Sequence, residues 1–202
     1  DGTTRLLIDL GFSLKEALAR LAKLNLSPEE LDGILVTHEH ADHVHGVGAF
    51  ARKFQTPVIL THGSYNEKQI GEVPVLKRFN CGENFSVGTV NVQSVAVPHD
   101  AKEPCQYILG SRGFSLGILT DLGHVTPHIE ISYRDCHALL LEFNHDLKML
   151  KSGPYSSKLK ARVGGDYGHL SNIQAANLLR QLNLDRLKNL VVSHVSEKNN
   201  DL

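Results

Sequence analysis

Hydrophobic and polar positions along this chain follow two alternating periods. Short apolar runs bounded by turn residues predict strands, which fall at 6–8, 34–37, 58–60, 106–109, 114–119, 138–141 and 190–192. A period of two over 85–97 predicts a hairpin around Gly88. Helical spacing follows capping signals at Ser13, Ser27 and Ser171, and a further helix is predicted from His43 to Phe54.

The order of these elements predicts the fold class. Strand–helix units occur at both ends of the chain, and antiparallel hairpins occur in the middle. We expect an α/β (α+β) chain folded as one domain over residues 1–202, with two mixed sheets covered by helices. No linker, repeat or low-complexity stretch interrupts the sequence.

A run of metal-ligand side chains follows the predicted strand at 34–37. It has the pattern H-x-H-x-D-H, formed by His38, His40, Asp42 and His43. In extended backbone His38 and His40 point to the same side and can share one metal, while Asp42 and His43 can reach a second. Clustered imidazoles without a metal would be costly to bury. The zincin pattern H-E-x-x-H fails here, because its second histidine would fall at Asp42.

Other ligand-type side chains stand at the ends of later strands. His99, Asp121 and His194 each follow an apolar run, so one sheet edge can bring them together. Together with the H-x-H-x-D-H run they complete two coordination spheres, although each one alone is also a common turn residue. His169 precedes the capping signal at Ser171, and a helix N-terminus attracts anions, so His169 is a candidate to hold a phosphate or donate a proton.

Composition narrows the possible settings and partners. The formal net charge is −1 with histidine neutral, so any binding of a polyanion must come from a local patch or from metals. The 3 cysteines are widely spaced, which argues against a disulfide framework or a thiolate zinc site and favours a reducing, cytoplasmic setting. No apolar run approaches the ~20 residues of a membrane span, so no membrane partner is expected.

One segment supplies a local basic patch. It carries five cations and an aromatic side chain with no acid among 148–162, namely Lys148, Lys151, Tyr155, Lys158, Lys160 and Arg162. The cations can neutralise phosphates while Tyr155 stacks on a base. A solvated basic helix face explains the same pattern equally well.

The ligand residues, taken in order, resemble those of the metallo-β-lactamase superfamily. The resemblance implies a four-layer αβ/βα sandwich in which one metal takes His38, His40 and His99, and the other takes Asp42, His43 and His194. Asp121 then bridges the two metals. Antibiotic-hydrolysing members include ones with cysteine at the bridging position, so Asp121 argues against lactam hydrolysis.

Within the superfamily, the stretches at 141–146, 152–155, 168–172 and 193–200 resemble the YycJ/WalJ group of single-domain bacterial nucleases. This resemblance implies a 5′→3′ DNA exonuclease, and it leads us to expect that an N-terminal strand and a C-terminal segment of the family are missing here. The RNA-processing nuclease RNase Z resembles the chain in a histidine before a helix start and a glutamate at the position of Glu142.

These resemblances suggest a mechanism. A hydroxide held between two metals is the expected nucleophile, with Asp42 orienting it and His169, oriented by Glu142, stabilising charge or protonating the leaving oxygen. Zn²⁺ is the expected metal and Mn²⁺ the alternative. Asp9 is either a partner of a ligand histidine or a plain turn residue. Competing functions are a thioester or lactone hydrolase of the glyoxalase II type, an RNA-processing nuclease, and a regulatory protein with a structural metal pair.

Overall fold

The computed structural model describes residues 2–201 and divides the chain into two compact units. The first unit comprises the chain up to Ser94 together with Ala101–Cys105. The second comprises Val95–Asp100 and the chain from Gln106 onward. Among residues 2–201, no helix combines the length and the apolar character needed to cross a membrane.

The first unit is built on a parallel sheet with the strand order β1-β2-β3-β4. The expectation of a mixed sheet is wrong for this unit, because a helical connection follows each of its first three strands and returns the chain in the same direction. Its elements are β1 (Leu6–Ile8), α1 (Leu14–Lys23), a 3₁₀ turn (Pro28–Glu30), β2 (Gly33–Leu35), α2 (Ala41–Val44), α3 (Val47–Phe54), β3 (Val58–Thr61), α4 (Glu67–Ile70), β4 (Leu76–Phe79) and a hairpin of β5 (Asn84–Val87) with β6 (Val90–Ala96).

The core of this unit lies between the parallel sheet and its helices. Ile34 and Val58 on the strands and Phe50 on α3 are fully buried and belong to one apolar cluster. Helix α1 adds Ala17 and Leu21 from its apolar face. The strand that precedes the H-x-H-x-D-H run is therefore packed firmly into this core.

The helix predicted from His43 to Phe54 is interrupted, so that prediction is wrong. Helix α2 ends at Val44 and α3 begins at Val47. The break lies at Gly46, whose N–H donates to the Leu10 carbonyl at 2.8 Å. A Cβ at this position would lie 2.1 Å from the Phe12 carbonyl oxygen, so only glycine permits the close approach.

The second unit contains a mixed sheet with the strand order β10-β9-β8-β7-β6, where β6 runs on from the hairpin of the first unit. Strands β7 and β8 are antiparallel, whereas β8, β9 and β10 are parallel. Its other elements are β7 (Cys105–Ser111), β8 (Phe114–Leu119), α5 (Pro127–Tyr133), β9 (Ala138–Glu142), α6 (Leu147–Ser152), α7 (Ser157–Val163), α8 (Asn172–Gln181) and β10 (Asn189–Ser193).

The parallel strands of the second unit bring three polar residues to one sheet edge. Leu119 of β8 pairs with Leu141 of β9, and Ser193 of β10 pairs with Glu142. Asp121, Glu142 and His194 therefore lie at or just beyond the carboxyl ends of neighbouring strands. This is where functional residues collect in parallel sheets.

Several other secondary-structure predictions are confirmed. The capping box at Ser171 opens α8, and the hairpin turns at Gly88, which has a φ of 54°. The signal at Ser27 produces a 3₁₀ turn instead of an α-helix. Several elements of four to seven residues, such as α4 and α5, escaped prediction because they are too short to establish a period, although Thr126 and Pro127 form a readable helix start.

Candidate metal centre and active site

The H-x-H-x-D-H run forms a tight cluster in the first unit. His38 is 1% exposed, and its Nε2 lies 2.9 Å from Nδ1 of His40. The turn at α2 follows at once and presents Asp42, whose side chain is exposed, beside His43, with 3.6 Å between Asp42 Oδ2 and His43 Nε2. The structure thus brings together all four residues that the spacing predicted.

Asp9 fixes this loop from the neighbouring strand. Its carboxylate accepts hydrogen bonds from the Thr37 N–H and hydroxyl, both at 2.8 Å, and from Nδ1 of His43 at 2.8 Å. Because Asp9 sits at the end of β1 and Thr37 follows β2, their parallel pairing makes these contacts possible. Of the two interpretations of Asp9, the structure favours that of a partner to a ligand histidine.

A second cluster lies in the second unit around the buried carboxylate of Asp121. Its Oδ1 lies 3.4 Å from Nε2 of His194, 3.8 Å from Nδ1 of His169 and 4.0 Å from Nε2 of His99. Donor atoms of Asp121, His169 and His194 lie within 4.8 Å of one another, a spacing that suits a metal ion. Strand ends that are far apart in sequence have therefore met, as expected.

Glu142 organises this second cluster. Its side chain is fully buried, and Oε1 accepts hydrogen bonds from Nδ1 of His169 at 2.7 Å and from Nδ1 of His194 at 2.9 Å. The other oxygen accepts from the backbone N–H of Leu122 and Leu170. Burial on its own raises the pKa of Glu142, but the two imidazoles outweigh it and hold the pKa below its ordinary value.

One tautomer recurs among the predicted ligand histidines. A ring that donates through Nδ1–H leaves Nε2 as a bare electron-pair donor, and metal-binding histidines are commonly fixed in this way. Four rings place Nδ1 against an acceptor: His38 on Thr37, His43 on Asp9, His99 on Gly168 and His194 on Glu142. Thr37 serves as an acceptor here because its own hydroxyl proton goes to Asp9.

These donor sets fit divalent metal ions. They consist of imidazole nitrogen and carboxylate oxygen, the combination that suits Zn²⁺ and also Mn²⁺. Burial lowers the pKa of His99, which favours the neutral ring that a metal needs. The chemistry of both clusters therefore matches the divalent ions that the resemblance implies.

Three candidate site residues have an uncommon backbone conformation. Asp9, Asp121 and His194 have φ angles of 56°, 53° and 52°. Aspartate and histidine are tolerated in this left-handed region more often than most residues, at a cost of order 1 kcal/mol. Each follows a strand, so the turn redirects the side chain where the strand ends.

The basic segment forms α6 and α7 and is only partly as expected. Lys148, Lys151 and Lys158 are exposed. Lys160 donates to the Lys151 carbonyl, and Arg162 pairs with the Asp100 carboxylate at 2.5 Å, so an acid distant in sequence partly neutralises the patch. The Asp100 contact joins the end of α7 to the loop that carries His99.

Asn144 is a site residue that the sequence analysis did not single out. It is 8% exposed, and its Nδ2 donates to the carbonyl of His194 at 2.9 Å, at the left-handed turn. A polar residue two positions beyond Glu142, at the end of β9, was the available signal.

Known proteins place these clusters in context. A family model described as the beta-lactamase superfamily domain matches residues 4–194. Exodeoxyribonuclease WalJ of Streptococcus pneumoniae is 36% identical over 202 residues, covering 97% of this chain and 75% of the relative. Exodeoxyribonuclease YycJ of Bacillus anthracis is 37% identical over 202 residues, covering 97% of this chain and 76% of the relative.

A solved structure confirms the predicted fold class. The metallo-beta-lactamase fold protein YhfI from Bacillus subtilis superposes with a TM-score of 0.73 at 14% identity, covering 98% of this chain and 76% of that one. At this identity the likeness shows the fold alone: two sheets flanked by helices.

Proposed function

Because the chain belongs to the metallo-β-lactamase superfamily and, within it, to the YycJ/WalJ group, we propose that it is a dinuclear metal-dependent DNA exonuclease acting in the 5′→3′ direction. The observation that carries the proposal is 36–37% identity to exodeoxyribonucleases across 97% of the chain. The stretches around Glu142, His169 and His194 that suggested this group also form one hydrogen-bonded cluster.

The proposed metal ligands follow the superfamily pattern. One ion takes His38, His40 and His99, the other takes Asp42, His43 and His194, and Asp121 is shared. Within the second unit this assignment is supported by two distances to Asp121 Oδ1. Nε2 of His99 lies 4.0 Å from this oxygen, and Nε2 of His194 lies 3.4 Å from it. Zn²⁺ is the ion we expect first, with Mn²⁺ as the alternative.

Two divalent ions bound there would lower the pKa of a bound water molecule, and they would place positive charge beside the phosphate oxygens. Side chains of the protein then orient the attacking oxygen and exchange a proton with the leaving oxygen. Asp42 orients the attacking oxygen. Glu142 holds Nδ1 of His169, so Nε2 is the ring atom able to exchange a proton with the leaving oxygen.

The substrate strand is held in part by the basic segment. Lys148, Lys151 and Lys158 are exposed and suited to phosphate contacts, and Lys160 and Arg162 add charge on the same helix pair. Arg162 acts through its pairing with Asp100, which ties this segment to the His99 loop. We assign Tyr155 to base stacking.

The class of substrate that the protein hydrolyses tests this proposal. Metal-loaded protein is incubated with 5′-labelled DNA, with RNA of the same sequence, and with a panel of thioesters and lactones. We expect mononucleotide release from DNA. Faster turnover of RNA would indicate an RNA-processing nuclease, and turnover of thioesters with intact DNA would indicate a hydrolase of the glyoxalase II type.

A further inference from the structure

A cavity of about 530 Å³ opens beside His169 in the second unit. Cavities of ~300–1,000 Å³ hold small molecules, so this one has room for a single nucleotide. Its lining comes from the end of β9, the α6–α7 connection and the segment after β10, and consists of Asn144, Tyr155, Val163, His169, Ser196, Glu197 and Lys198.

The lining suits a nucleoside better than a bare phosphate. Tyr155 offers an aromatic face, half-buried, on which a base can stack. Glu197 carries a negative charge beside the cation of Lys198, so the cavity has no net positive charge from this pair. Ser196 Oγ accepts from the N–H groups of Lys198 and Asn199, and these bonds do not use its hydroxyl proton, which remains a donor for the ligand.

The wall that carries Ser196 is built rigidly. The Ser196 N–H donates to the Asn144 carbonyl at 2.9 Å. Just beyond, Asn200 Nδ2 donates to the Phe143 carbonyl at 2.8 Å and to Asn172 Oδ1 at 3.0 Å. Fixed walls reduce the entropic cost of binding, as expected of a formed subsite.

The position of His169 indicates which nucleoside of the DNA strand occupies the cavity. His169 lines the cavity and, under the proposed function on which this inference rests, donates the proton to the leaving oxygen. We propose that the cavity binds the terminal 5′ nucleoside of the strand, the one whose 3′ oxygen is the leaving group. Its base lies against Tyr155, and Lys198 lies near the scissile phosphate.

The bond changes agree with this placement. The oxygen of a water molecule, which loses a proton to solvent, bonds to phosphorus, and the bond between phosphorus and the terminal 3′ oxygen breaks. That oxygen takes the Nε2 proton of a doubly protonated His169 ring, which keeps its Nδ1 proton on Glu142 and is left neutral. The next nucleotide keeps the phosphate on its 5′ oxygen and becomes the new end.

Two substrates that differ only in the terminal base test the assignment. One DNA strand ends in a normal 5′ nucleotide, and the other ends in an abasic tetrahydrofuran residue. We expect Tyr155→Ala to lower kcat/KM about 5- to 100-fold on the normal end, because one base no longer stacks on an aromatic ring, and to leave the abasic end unchanged. Tyr155→Phe, which keeps the aromatic ring, should recover most of the kcat/KM that Tyr155→Ala loses on the normal end.

Controls make each outcome decisive. Tyr167→Ala removes a tyrosine that is 62% exposed and outside the lining, and it should change neither substrate. Tyr155→Leu keeps the apolar volume without the aromatic face and replaces Tyr155→Ala if that variant does not fold. Equal reductions on both ends, or no reduction on either, would overturn the nucleoside site while leaving the nuclease intact. A wild-type protein that cuts neither strand would overturn the proposed function instead.

Discussion

The carboxylate of Glu142 and the imidazole of His169 are joined by a 2.7 Å hydrogen bond inside the second unit, with Glu142 fully buried. The bond turns Nδ1 of His169 toward Glu142 and Asp121, so Nε2 lies on the opposite side of the ring. Because the same oxygen also holds His194, one side chain orients both a candidate metal ligand and the candidate proton donor.

Replacing Glu142 with glutamine should therefore damage two properties. The glutamine amide is uncharged, and its NH2 group would face N–H donors that a carboxylate oxygen now accepts from, so we expect metal affinity to fall ~10–100-fold and kcat to fall further. Metal titration by calorimetry and exonuclease assays at saturating metal measure the two effects. Glu67→Gln, on the exposed side of α4, is the control and should alter neither. Wild-type metal affinity in Glu142→Gln would disprove this role.

Asp42→Ala and His169→Ala should separate metal binding from proton transfer. Both variants should lose nuclease turnover, but bound metal should fall only in Asp42→Ala. Atomic emission analysis of the dialysed proteins measures this. Loss of metal in His169→Ala would instead make His169 a ligand, as its position with Asp121 and His194 allows. Full activity would remove it from the mechanism.

The two lysines of α7, Lys158 and Lys160, should contribute to DNA affinity by neutralising phosphates. Lys158→Glu with Lys160→Glu should weaken DNA binding and flatten the slope of log K against log salt by about 0.7–0.9 for each phosphate that is no longer neutralised. Fluorescence anisotropy over a salt series gives the slope. Reversal of Lys15 and Lys23, which are exposed on α1, is a matched control. A slope equal to that of the wild type would identify the segment as ordinary solvated surface.

His145 should make stability depend on pH. It is 1% exposed, and burial lowers its pKa from 6.5, so between that lowered value and 6.5 the unfolded chain binds more protons than the folded one. The free energy of unfolding then rises with pH through this window and falls as pH drops. Urea unfolding of metal-free protein between about pH 5 and 7.5 measures the rise. His145→Gln should reduce it, and an unchanged slope would contradict the assignment.

Local patterns in the sequence were enough to predict that the H-x-H-x-D-H residues cluster and that polar residues meet at strand ends. His38, His40, Asp42 and His43 are four close positions, and their chemistry is readable without a fold. The roles of Asp9 and Asn144 were not readable, because each depends on a partner 34 or 50 positions away. The break at Gly46 likewise depends on contacts with the distant Leu10 and Phe12 backbone.

The net charge of the basic segment also could not be predicted from local sequence, because it depends on a distant partner. Counting residues over 148–162 finds no acid. The structure supplies one from Asp100, which reaches Arg162 through the packing of α7 against the His99 loop. Sequence spacing predicts which residues can do chemistry, whereas tertiary contacts decide which partners they have.

Metal stoichiometry measured together with digestion of end-labelled DNA tests the central claim most directly. Protein stripped with EDTA is reconstituted with Zn²⁺ or Mn²⁺, the bound metal is counted, and 5′-labelled DNA is digested. We predict no cleavage without metal, and release of the 5′ label as a mononucleotide at a rate that reaches its maximum as the second equivalent binds. Protein that binds two equivalents and leaves DNA intact, or that cleaves at full rate without metal, would contradict the account.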